Sequence, residues 1–147
     1  MRNQICGPDA VACVRGGAEN PCLRGTVRFF QLREGTLVEA EVSGLPESET
    51  GFFAFHIHEG DGCGGEGFSQ SGGHYDPGKT AHPMHAGDLP PLLACGGRAF
   101  AQVLTGRFRV CDIIGRTVII HSGPDDFHTQ PAGNPGAKIA CGVIRRK

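Results

Sequence analysis

Short apolar runs with polar residues at every second place recur along the first part of the chain, the period of strands with one buried face. They predict strands over Ala10–Arg15, Leu23–Leu32, Thr36–Val42 and Gly51–His58. Asn20-Pro21, Glu34-Gly35, Gly44-Leu45-Pro46 and Glu49-Thr50-Gly51 supply the turns between them. The texture changes after Gly60. Residues 60–91 hold nine glycines and little apolar content, which predicts a long functional loop. Strand signals return at Leu92–Cys95, Arg98–Leu104, Arg116–His121 and Ile139–Ile144, with a second loop over Ser122–Lys138. Eight short strands and two large loops predict an all-β fold, an eight-stranded Greek-key sandwich or barrel. One domain spanning 1–147 is expected, without repeats.

In Phe53-Ala54-Phe55-His56-Ile57-His58 the strand period puts His56 and His58 on one face and Ile57 on the other. Two imidazoles so placed chelate a metal well and pack poorly. Two hydrogen-bonded histidines on a polar strand face would read the same.

Composition supports the all-β expectation: Gly 24, Pro 10 and no tryptophan suit brief strands joined by glycine-rich turns. A net charge of −1 gives neither a nucleic-acid footprint nor an acidic tail. No stretch is apolar and long enough to span a membrane. Met1–Pro8 carries no continuous apolar leader core, so a cytoplasmic location is expected, or export if a leader has been trimmed. Cys6, Cys13, Cys22, Cys63, Cys95, Cys111 and Cys141 are widely spread and fit no zinc-binding spacing. One disulfide plus free thiols, or seven small buried side chains, both remain open.

The seven histidines add chemistry. His74, His82, His85 and Asp88 fall within fifteen residues, "HYDPGKTAHPMHAGD", three imidazoles and a carboxylate such as a structural zinc prefers. His121 ends the run "RTVII" and can join His56 and His58 in a nitrogen-only site, which points to copper. Two four-ligand sites need one more ligand than these residues supply, so one histidine must serve both metals.

The stretches "FHIHE", "GGHYDP", "HAGDLP", "IIGRTVIIH", "PDD" and "GNPGAKIACGVI" resemble copper,zinc superoxide dismutases of the bacterial type, in matching order over nearly the whole chain. The resemblance implies copper held by His56, His58, His74 and His121, and zinc held by His74, His82, His85 and Asp88, with His74 as the bridge. It also implies a Cys63–Cys141 disulfide, Asp125 as a carboxylate linking a ligand of each site, and His74 and Lys138 as catalytic residues. The implied activity converts superoxide to dioxygen and hydrogen peroxide. A non-catalytic copper- and zinc-binding module of the same fold is the alternative. Superoxide is the expected partner, with neither nucleic acid nor a membrane; the assembly is left open by the sequence, a homodimer being one option.

Departures from the family pattern are local. Only two residues separate His82 from His85, a shortened spacer, and the second loop is also short. Lys138 stands where the family usually has arginine, and Ala132 where it has a threonine. His128 is expected to be an exposed loop residue without a role at the metals.

Overall fold

The computed structural model describes residues 6–147; Met1–Ile5, where the reading of a missing leader core begins, lie outside the described residues. The strands are β1 (Ala10–Gly16), β2 (Arg24–Gln31), β3 (Thr36–Ser43), β4 (Phe52–Phe53), β5 (Phe55–His58), β6 (Leu92–Leu93), β7 (Ala99–Thr105), β8 (Thr117–His121) and β9 (Lys138–Arg146). Seven form one antiparallel sheet in the order β5-β8-β9-β1-β2-β3-β7, and β4 pairs with β6. β4 runs into β5 through Ala54 alone, and β6 leads through 94–98 into β7. The small ladder therefore ties the chain beside one edge of the sheet to the chain beside the other, and holds the sheet curled.

Every predicted strand is present, but nine strands replace the expected eight because Gly51–His58 is two elements. The break has a cause. Ala54 turns its backbone away from the ladder, donating to the Gly123 carbonyl at 2.8 Å and accepting from the His121 N–H at 2.9 Å. Leu92–Cys95 pairs over two residues only, because Cys95 closes a turn with Arg98. One short helix was not expected: α1 (Val110–Ile113), whose Asp112 carboxylate accepts the Arg109 N–H at 2.8 Å. Alternation could not reveal a single turn so brief. The first long loop carries a 3-10 turn at Glu66–Ser71.

Inside the curl lie Ala12, Val14, Val27, Phe29, Val38 and Ala40 from β1–β3, facing Phe53, Phe55, Ile57, Val118, Ile120 and Ile144. Each fully buried large side chain stabilises the fold by about 1.5–3 kcal/mol. Among the described residues no helix is long and apolar enough to cross a membrane.

Candidate metal centre

β5 is an edge strand, and an uncovered edge leaves backbone donors and acceptors unpaired. The first loop covers it. Ile57 donates to the Gly87 carbonyl at 2.9 Å and accepts from the Tyr75 N–H at 2.9 Å, while Glu59 donates to Gly73 at 2.9 Å. A Cβ on Gly87 would lie 2.2 Å from the Ile57 carbonyl oxygen, so only glycine lets the loop come this close. The loop thereby sets His74 beside His58 and Asp88 beside His56 in isolated bridges. All four residues of β5 are buried, Phe55 and Ile57 in the core and the two histidines beneath the loop.

Ring nitrogens of His56, His58, His74 and His121 lie within 4.8 Å of one another. His121 comes from the neighbouring β8, where the ladder with β9 shifts register between Ile120 and His121. Such a bulge re-aims a side chain. Its Nε2 stands 3.4 Å from Nε2 of His58. Burial is the main force lowering His58 from 6.5 to about 2, against the hydrogen bond its Nδ1 donates to the Gly72 carbonyl. Burial likewise lowers His121 to about 3. Both rings are held neutral, the form that offers a lone pair to a metal.

The second cluster is His74, His82, His85 and Asp88, again within 4.8 Å. Nδ1 of His74 is 2.7 Å from Asp88 Oδ1 and 3.3 Å from Nδ1 of His85. Asp88 Oδ2 is 3.1 Å from Nδ1 of His82 and 3.2 Å from Nδ1 of His85. A tetrahedral zinc with bonds of about 2.0–2.1 Å requires donors about 3.3 Å apart, the size of these separations. Burial pushes Asp88 up, but the hydrogen bond with His74 and the surrounding imidazoles of His74, His82 and His85 outweigh it and hold the carboxyl below its usual value.

His74 belongs to both clusters. Its Nδ1 faces Asp88, and its Nε2 is buried without a hydrogen-bond partner, as are Nδ1 of His56 and Nδ1 of His82. In His56 and His82 the other ring nitrogen is engaged by Asp125. Buried polar atoms are seldom left unpaired, because the loss of water is uncompensated. A metal taking each lone pair removes that cost, so the donor set fits one ion in each cluster.

Asp125 joins the clusters. Its Oδ2 accepts from Nε2 of His56 and its Oδ1 from Nε2 of His82, both at 2.8 Å. Burial acts to raise this carboxyl, yet those two bonds and the Phe127 N–H hold it well below the carboxylate range. Lys138 opens β9 directly across the ladder from His121. Its ammonium donates at 2.8 Å to Ser71 Oγ and to the Gly72 carbonyl, the acceptor shared with His58. It is half-buried, and burial lowers its pKa. Cys63 and Cys141 form a disulfide between the first loop and β9. The other described cysteines, Cys6, Cys13, Cys22, Cys95 and Cys111, are free and exposed. His128 is exposed on the second loop, and neither metal cluster includes it. Ala132 is half-buried on the same loop.

Three groups beside the clusters carried no signal in the sequence. Gln130 grips the backbone of His82 at both ends, accepting its N–H at 2.9 Å and donating to its carbonyl at 2.7 Å. Arg107 donates to the carbonyls of Pro83 and His85 in the same cluster's segment. Gly133, at φ +80°, lies where a Cβ would be 2.0 Å from Asp125 Oδ1. Each acts through backbone or through a missing atom, so residue type alone does not betray it.

The family described as copper/zinc superoxide dismutase (SODC) matches residues 23–144. The chain is 35% identical to superoxide dismutase (Cu-Zn) 1 of Aquifex aeolicus, over 82% of this chain and 79% of that protein. It is 34% identical to the mouse copper chaperone for superoxide dismutase, over 93% of this chain but 53% of that protein. Among solved structures, the Cu/Zn superoxide dismutase from Brucella abortus is similar with a TM-score of 0.76 and 28% identity, covering 91% of this chain and 98% of that one.

Proposed function

The chain belongs to the copper/zinc superoxide dismutase family, and from that premise we propose that His56, His58, His74 and His121 hold the copper and that His74, His82, His85 and Asp88 hold the zinc. The protein is an enzyme that converts superoxide to dioxygen and hydrogen peroxide, with copper and zinc as its metals. The single observation that supports the ligand assignment is His74, a member of both clusters, with Nδ1 beside Asp88 and Nε2 buried without a hydrogen-bond partner.

When bound, copper supplies the one-electron couple that both half-reactions need, while zinc, which has none, holds geometry. The chain does the rest. Asp125 fixes which nitrogen of His56 and of His82 is protonated, leaving Nδ1 of each ring as the donor. His74 can hold a proton at Nε2 and release it to the peroxide product. Lys138 uses two of its three donors on Ser71 and Gly72, which leaves one for a small anion. Its charge draws superoxide toward His58 and His121.

The alternative of a non-catalytic metal-binding module has the chaperone likeness behind it. Against it, every position of the copper cluster holds histidine. Metal analysis combined with a dismutase assay decides. One copper, one zinc and turnover are expected per chain; zinc alone after loading with both metals overturns the reading.

Two further parts of the proposal concern the setting. Disulfides persist in oxidising compartments, so the Cys63–Cys141 bridge supports a working location there rather than in a reducing cytoplasm. A single domain assembled as a homodimer completes the reading, with Phe52 and Leu93, exposed cross-strand neighbours, as the contact. A solution mass equal to that of one 15.5 kDa chain removes the dimer.

A further inference from the structure

The zinc-ligand segment has little internal support. Between His82 and Asp88 lie three of the four donors of one cluster, joined by two tight turns, Met84 N–H to Ala81 at 2.8 Å and Asp88 N–H to His85 at 3.1 Å, and by the His85 N–H, which donates to Asp88 Oδ2 at 3.0 Å. Its support comes from outside. Arg107 stands on the turn between β7 and α1, remote in sequence from every ligand candidate. Its Nη1 donates to the Pro83 carbonyl at 2.8 Å and to the His85 carbonyl at 3.2 Å, with the Asp88 carbonyl at 3.5 Å. No backbone N–H among the described residues reaches the Pro83 carbonyl.

The base of this clamp is rigid. Phe108, the next residue, is 4% exposed in the core, and its carbonyl accepts the buried hydroxyl of Thr36 on β3 at 2.9 Å. Arg107 has no carboxylate partner among the described residues, so its charge is spent on carbonyls rather than on an ion pair. A planar guanidinium can span two carbonyl oxygens at fixed angles, which an ammonium on a flexible stem does less well. From the other side, Gln130 holds His82. Only two residues separate His82 from His85, and so short a spacer has little freedom to correct a misplaced ring.

We propose that Arg107 is a positioning residue for the zinc site, holding the backbone of Pro83 and His85 so that the nitrogens of His82 and His85 and the carboxylate of Asp88 converge before the ion binds. This rests on the ligand reading above. An outer partner of a metal ligand is worth about 10–100-fold in affinity, and an exposed guanidinium belongs at the lower end.

The test follows zinc leaving the fully loaded, full-length chain to a chromogenic chelator, and the visible spectrum with cobalt(II) in place of zinc. Arg107→Met should release zinc about tenfold faster. It should also change the cobalt band, while the copper spectrum and the melting temperature of the metal-free chain stay as in the unsubstituted protein. Arg107→Lys should fall between. Unchanged zinc release and an unchanged cobalt band in Arg107→Met overturn the inference. So does an equal loss of melting temperature with and without metal, which marks a purely structural contact. His85→Ala separates the two levels. If it retains cobalt, the ligand reading fails and this inference with it; if it loses cobalt while Arg107→Met behaves normally, only the role of Arg107 falls.

Discussion

One carboxylate, Asp125, holds an imidazole from each cluster, and it can do so because position 133 has no side chain. A Cβ there would lie 2.0 Å from Asp125 Oδ1 and 2.6 Å from Nε2 of His82, at a backbone φ of +80° that disfavours side chains. Gly133→Ala should therefore weaken zinc and copper together, by about tenfold or more, read by chelator competition for each metal. An unchanged affinity for both would mean that the loop shifts without cost. The buried rings also give the metal-free chain a pH dependence. His58 and His121 are lowered from 6.5 to about 2 and about 3. Below pH 6.5 the unfolded chain takes up protons that the folded chain refuses, so stability is full above 6.5 and falls as the pH drops toward 3. Asp125, also depressed, adds to the loss in the same direction below its unfolded value of 3.8. The melting temperature of the metal-free, disulfide-intact protein should be lower at pH 5 than at pH 7. A flat profile contradicts this account of the rings.

Among the elements, the edge strand β5 and the loop that covers it depend on each other. The loop satisfies the edge through Tyr75 and Gly87, and the edge gives the loop a fixed course. The disulfide adds a second anchor, joining Cys63 to Cys141 across 78 positions, with Cα atoms 5.7 Å apart. Removing a native bridge typically costs about 2–5 kcal/mol. For a chain of this size, Cys63→Ser with Cys141→Ser should lower the melting temperature by on the order of 10 °C. Calorimetry of the metal-free protein reads it; a change within error would show that β5 alone anchors the loop.

For the molecule as a whole, charge is almost balanced at −1, so attraction of a small anion depends on where single cations stand. Lys138, across the ladder from His121, is the one proposed here. Lys138→Glu should slow dismutation strongly at low salt with metal content unchanged, and Lys138→Arg should keep or raise the rate. The unsubstituted rate should fall with ionic strength, since a Debye length of about 8 Å at 0.15 M screens exposed charge. An unchanged rate in Lys138→Glu would leave the ammonium only its bonds to Ser71 and Gly72.

The strands were legible in the chain because burial of one face imposes a period of two, and that period survives without tertiary context. His56 and His58 were legible for the same reason, and the His74–Asp88 group because loop residues of ligand type crowd a short stretch. Other features needed the folded molecule. The break at Ala54 follows from carbonyl and amide partners on the chain around Gly123 and His121, far along the sequence. The brief helix Val110–Ile113 is too short to show a period. Arg107 and Gln130 hold backbone atoms, which look alike under every residue, and Gly133 matters through space that a side chain would fill. Pattern records what a side chain prefers to face. Only the tertiary structure decides which distant backbone it meets there.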